Sequence, residues 1–143
     1  MNSARKLVLD ANILIRAIFG EKVRGFLRRY EENVEFYAPG YCVQEALAKI
    51  PEIAAKRKEI PEFAELYLLL LVRSVVLVVD RSFYNEFEEQ ARSRISKRDP
   101  SDWPVVATAL LLSAPIWTED YDFFGCGIAT WTTDRIELYL RDA

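Results

Sequence analysis

Lys6-Leu7-Val8-Leu9-Asp10-Ala11-Asn12-Ile13-Leu14-Ile15 is the stretch whose reading decides the fold. Apolar residues run straight up to a carboxylate, and helical spacing at Ile13, Leu14, Ala17 and Ile18 begins right after it. Asp10 is therefore placed where a buried strand turns into a helix. In an open parallel sheet, ligands bind at such strand ends. A plainer role is equally open at this point: a short side-chain oxygen on Asp10 or Asn12 caps the helix by accepting an orphan backbone N–H. The arrangement recurs where Ala114-Pro115-Ile116-Trp117-Thr118 runs into Glu119-Asp120-Tyr121-Asp122-Phe123, so two strand ends carry acids.

Outward from the first strand, residues 22–33 space Val23, Phe26, Leu27 and Tyr30 as a helix. Residues 34–38 alternate as a short strand that stops at Pro39-Gly40. The next helix runs through Ile50 with an apolar stripe of Val43, Leu47, Ile50 and Ala54. Glu45 points roughly the opposite way, to solvent or a cleft. Pro61 starts a helix over residues 62–73 whose leucine run, 66–71, is apolar nearly all round and needs cover on both sides. Val75-Val76-Leu77-Val78-Val79 reads as a central strand, and a long polar helix over residues 80–96 follows it, capped by Asp80 or Ser82. Asp99-Pro100-Ser101-Asp102 opens a further helix with a cap, a proline in the first position and an acid at the third. After the Ile116 strand and its acidic turn come a short strand over residues 127–131 and a final helix capped near Thr132 or Thr133. Strands near 7, 35, 77, 116 and 129, alternating with helices, describe one three-layer α/β/α domain over residues 1–143, with a central, mainly parallel sheet of about five strands.

Composition narrows the chemistry. With 143 residues, 51% hydrophobic and 13% aromatic, the chain has ample material for a core. The net charge of −3 excludes a general basic coat, so affinity for nucleic acid requires local Lys/Arg clusters or metal ions that offset the acids. Cys42 and Cys126 form no CxxC pair and fit core filling or a reducing cytoplasm. Histidine is absent, which removes Ser-His-Asp and Cys-His catalysis, His-ligated zinc and phosphohistidine chemistry. Acids must carry any chemistry. Asp10 interrupts the N-terminal apolar stretch before it reaches signal-peptide length, and Arg73 breaks the apolar region 66–79, so the expectation is a cytoplasmic protein that neither spans nor enters a membrane.

Right-handed crossovers bring successive strand ends to one sheet edge, where Asp10 and Asp120 can face each other. Asp102, in the first turn of its helix, and Glu45, off the apolar stripe of its own, are the acids best placed to join them. Such a group without a cationic partner repels itself, and an oxygen-rich, histidine-free set suits Mg²⁺ or Mn²⁺.

These residues resemble the PIN-domain nucleases, the group that includes the ribonuclease toxins of bacterial and archaeal toxin–antitoxin pairs. The resemblance spans nearly the whole chain. Its most specific parts are Leu9-Asp10-Ala11-Asn12-Ile13-Leu14, Val43-Gln44-Glu45-Ala46-Leu47, and Asp99-Pro100-Ser101-Asp102-Trp103-Pro104 together with Ile116 through Phe123. It implies a PIN-like, Rossmann-like fold, with Asp10, Glu45, Asp102 and Asp120 as metal-binding catalytic acids and Asn12 and Thr118 as polar helpers. Asp99 and Asp122 rank as supporting acids, Asp99 with a strong competing role as a helix cap; for Asp102 the competing role is the acid of a capping box. Arg16, Lys97 and Arg98 stand near the motifs as candidate RNA contacts, although an ordinary solvated surface accounts for each one singly. The resemblance further implies a metal-dependent endoribonuclease, an RNA substrate, an antitoxin partner and a homodimer.

Readings from other classes fit less well. A phosphoacceptor signalling domain needs a lysine near the last strand, where Ala129-Thr130-Trp131-Thr132 stands. An aspartyl-nucleophile phosphatase needs a second aspartate at position 12, which is Asn12. A non-cleaving PIN-fold protein that binds RNA or a partner would have lost its acids, and a processing nuclease without an antitoxin would keep them.

Overall fold

The computed structural model describes residues 5–95 and 99–141. Its strands are β1 (Arg5–Leu9), β2 (Val34–Pro39), β3 (Val76–Val79), β4 (Ile116–Trp117) and β5 (Thr130–Trp131). They form one wholly parallel sheet in the order β3-β2-β1-β4-β5. The α-helices are α1 (Ala11–Phe19), α2 (Glu21–Tyr30), α3 (Gly40–Lys56), α4 (Pro61–Ser74), α5 (Arg81–Tyr84), α6 (Glu88–Ile95), α7 (Trp103–Leu112) and α8 (Ile136–Arg141).

β1 is central. It pairs on both edges, Lys6 opposite Glu35 and Val8 opposite Ile116. A strand paired on both sides and covered on both faces must be apolar throughout, and Leu7, Val8 and Leu9 are fully buried. One face carries α1, α3 and α4 packed on one another; across the other, α7 crosses β1 and β2 and is itself covered by α5 and α6. That double cover explains why Val105, Val106, Ala107, Thr108 and Ala109 are all buried and α7 is apolar around its circumference. The expected three-layer α/β/α architecture is present.

The chain leaves β1 for β2 and β3 on one side, then returns to lay β4 along the other edge of β1. At that reversal the connections leave toward opposite faces and open a crevice at the carboxyl ends of the strands. Asp10 directly follows β1, and Thr118 directly follows β4.

Four local expectations are corrected. β3 is an edge strand rather than a central one: among the described residues it pairs only with β2, and Leu77 and Val78 are exposed. An uninterrupted β-branched run does not by itself report cover on both faces. The helix expected over residues 80–96 is divided into α5, a 3₁₀ turn at Asn85–Phe87, and α6. On α3 the buried stripe is Cys42, Ala46, Ile50 and Ala54, not one built on Val43 and Leu47. Finally, α4 buries Ala64, Leu68 and Leu71 but leaves Leu66, Leu69 and Leu70 exposed, so it is covered on one side. Among the described residues no helix is long and apolar enough to cross a membrane.

Candidate functional site

At the crevice, Asp10 is 5% exposed and both of its carboxylate oxygens are engaged. Oδ1 accepts the Ile13 backbone N–H at 3.0 Å, which caps α1, and Oδ2 accepts the Thr118 hydroxyl. Capping and facing a site are thus combined in one side chain. Thr118, fully buried, also accepts the Asp120 N–H at 2.9 Å. Asp120 in turn caps the following 3₁₀ turn by accepting the Asp122 N–H at 2.9 Å. A continuous chain of hydrogen bonds therefore ties the end of β4 to the end of β1.

Asp102 reaches the same place from the other layer. Asp99 caps the turn Pro100–Asp102, accepting the Ser101 backbone N–H at 3.0 Å and its hydroxyl at 2.6 Å. This ordered turn presents Asp102 at the head of α7, where Asp102 makes no capping hydrogen bond. Its Oδ2 is buried with no hydrogen-bond partner among the described residues. Asp99 therefore caps the turn, and Asp102 caps nothing. A buried carboxylate oxygen with nothing to accept is costly and calls for a missing partner.

A cavity of about 130 Å³ gathers Asp10, Asn12, Glu45, Asp99, Asp102 and Asp120 in its lining. Carboxylate oxygens of Asp102, Asp120 and Asp122 lie within 4.8 Å of one another. Glu45 arrives because α3 is rotated from the expected register: with Ala46 buried against the core, its neighbour Glu45 stands at the margin of the buried stripe rather than opposite it. Burial pushes the Asp10 carboxyl up to about 6, aided by the charge of Asp120 and opposed by the bonds from Thr118 and Ile13. Asp102 is pushed up to about 7 by burial and then by the charges of Asp99, Asp120, Asp10 and Glu45. Burial first, and then the charges of Asp10 and Glu45, push the Cys42 thiol well above its ordinary value, so it lines the cavity as a neutral group.

Besides the Cys42 thiol, three polar residues in the lining escape the sequence reading: Tyr41, Lys49 and Ser101. Tyr41 and Lys49 stand four residues either side of Glu45, a helical stripe that a search for polar periodicity would find. Arg16 is exposed on α1 and is not in the cavity lining. Lys97 and Arg98 lie outside the described residues. The acids offer an all-oxygen, anionic donor set with Lys49 at its side and an orphaned buried carboxylate oxygen in its midst, and this chemistry fits a hard divalent cation.

Comparison with known proteins bears on this geometry. The family model described as PIN domain matches residues 8–141. Among solved structures, the chain is similar to the VapBC2 complex from Rickettsia felis bound to a promoter DNA fragment, with TM-score 0.66, 13% identity, and coverage of 89% of this chain and 98% of that one. It is also similar to a toxin–antitoxin complex from Klebsiella pneumoniae, with TM-score 0.64, 20% identity and coverage of 92% and 98%. For FitAB bound to a DNA fragment the TM-score is 0.61 at 21% identity, with coverage of 89% and 94%. Among curated protein sequences none matches significantly.

Proposed function

Because the chain belongs to the PIN-domain family, we propose that it is a divalent-metal-dependent endoribonuclease, the toxin of a type II toxin–antitoxin pair, acting as a homodimer in the cytoplasm. The observation that carries the reading is the partnerless Asp102 Oδ2 inside a cavity lined by Asp10, Glu45 and Asp120. These four acids would hold Mg²⁺ or Mn²⁺. When bound, such an ion polarises a scissile phosphate and lowers the pKa of a bound water toward neutrality.

The remaining work falls to the chain itself. Thr118 and the Ile13 N–H fix the Asp10 carboxylate in one orientation, and Asp99 stiffens the turn that presents Asp102. Near neutral pH Asp102, pushed up to about 7, still holds part of its proton while Asp10, pushed up to about 6, is largely ionised, so loading of a cation would be accompanied by proton release chiefly at Asp102. Asn12, in the cavity lining, and Asp122, beside Asp120, serve as flanking polar groups. A larger groove shares Tyr41 and Ser101 with the acidic cavity and carries Arg81 and Arg92, positions suited to phosphates on either side of the scissile one. Support for an antitoxin partner comes from the solved complexes of similar fold.

The test is cleavage of single-stranded RNA by purified protein, with Mg²⁺ or Mn²⁺ and with EDTA. Cleavage should require the metal and disappear in Asp10→Asn, whose amide oxygen still caps α1. Cleavage in EDTA, or by Asp10→Asn at the parental rate, contradicts the assignment. Expression in cells should arrest growth, and co-expression of a small partner encoded beside it should relieve the arrest.

A further inference from the structure

We propose that Tyr121 and Phe124 form a shelf that stacks one unpaired nucleobase of the RNA strand held at the acids, an inference that rests on the ribonuclease reading above. Their rings are stacked, with centroids 5.4 Å apart and planes 28° from parallel. Tyr121 is 72% exposed and Phe124 38%. Two rings already stacked and facing water gain by burial of a third ring on the pair.

Position selects the occupant. Tyr121 lies between Asp120 and Asp122, whose carboxylate oxygens meet that of Asp102 within 4.8 Å. Successive Cα atoms are about 3.8 Å apart, so the ring is carried by the backbone that carries the acids. A strand bound with one phosphate at the carboxylates runs past the segment that carries this ring, which brings a neighbouring base within reach of it.

The loop is held rather than loose. Phe123, between the two rings in sequence, is 1% exposed, and Cys126 is buried. Arg94 on α6 donates to the Cys126 carbonyl at 2.8 Å. Gly127, at φ 87°, lies so near the Arg94 guanidinium that a side chain there would collide with it. A shelf fixed in advance loses little freedom when a base arrives.

Charge points the same way. A chain of net charge −3 with an acid-lined cavity draws limited affinity from phosphate neutralisation, which raises the share that stacking must supply. Only unpaired bases offer their faces, so the substrate is single-stranded at this position.

The experiment compares wild type, Tyr121→Ala and Tyr121→Trp on labelled single-stranded RNA carrying one abasic residue, moved stepwise along the strand. Tyr121→Ala should raise KM about tenfold, with a smaller change in kcat, and Tyr121→Trp should restore it. An abasic residue at one position should weaken wild type by a similar factor and cost Tyr121→Ala nothing more. Unchanged KM in Tyr121→Ala, additive penalties at every abasic position, or failure of Tyr121→Trp to restore binding overturns the shelf, while cleavage by wild type still stands. A change in molar mass on Tyr121→Ala with KM unaltered identifies a protein contact and also overturns it. If wild type neither binds nor cuts any RNA, both readings fall.

Discussion

Asp102 stands at the head of α7, where an acid ordinarily caps, yet it makes no capping bond: Asp99 caps the preceding 3₁₀ turn, and Asp102 Oδ2 is buried near other carboxylates with no hydrogen-bond partner among the described residues. Removing its charge should therefore relieve repulsion in the metal-free protein. We predict that Asp102→Asn leaves thermal stability in EDTA unchanged or raises it by a few degrees, while cleavage falls by more than the roughly 10–100-fold expected for losing an outer partner of a metal ligand. Loss of stability with activity retained would return Asp102 to a capping role. The same two acids set a pH dependence. Folded Asp10 and Asp102 keep their protons up to about 6 and 7, against 3.8 for an ordinary aspartate. Between those values the folded state binds more protons than the unfolded one, so this contribution to stability is complete below 3.8 and is lost as pH rises through 6 to 7. Metal-free protein should then melt higher at pH 5.5 than at pH 8. Saturating Mg²⁺ favours the ionised acids, so it should flatten or reverse that trend, and its affinity should drop as pH falls through the same window. A metal-free melting temperature that climbs with pH across it contradicts the shifts.

At the level of elements, the sites after β1 and β4 are legible in sequence because an apolar run that ends on an acid is a local pattern, and the parallel sheet then supplies the proximity. The capping role of Asp99 is legible for the same reason. The register of α3 is not. Val43 and Leu47 dominate a hydrophobicity reading, yet the helix turns its small residues, Cys42 and Ala46, to the core, because close approach to neighbouring elements favours small side chains. Position within the sheet is equally hidden, since Val76–Val79 has the composition of a central strand and lies at an edge. Helix α4 shows the consequence for stability. Leu68 is fully buried and Leu69 is 57% exposed on the next residue. Leu68→Ala should cost about 2–5 kcal/mol in chemical denaturation, whereas Leu69→Lys should leave the protomer fold intact, within about 0.5 kcal/mol. Equal losses from the two substitutions, measured at dilution where wild type is also a single chain, would mean that the exposed face of α4 is packed within the chain.

For the whole molecule, that exposed face bears on assembly. Leu66, Leu69 and Leu70 on α4, and Leu77 and Val78 on the adjoining strand β3, are each 45–57% exposed, and because successive strand side chains point to opposite faces only one of Leu77 and Val78 can share the α4 side. Scattered apolar side chains are ordinary on a surface, but a group on two packed elements, one of them an unprotected sheet edge, favours association. The segment after β3 does not provide the cover, since α5 and α6 pack on α7 across the sheet. The homodimer proposed above would cover it with a second copy of the chain. Light scattering at micromolar concentration should give about twice the protomer mass of 16.6 kDa. Leu69→Lys, which places a charge on this face without touching the core, should return the mass to that of one protomer with the melting temperature of the separated chain measurable on its own. A wild-type mass of 16.6 kDa rules the dimer out, and a Leu69→Lys protein that stays double in mass moves the interface to another face.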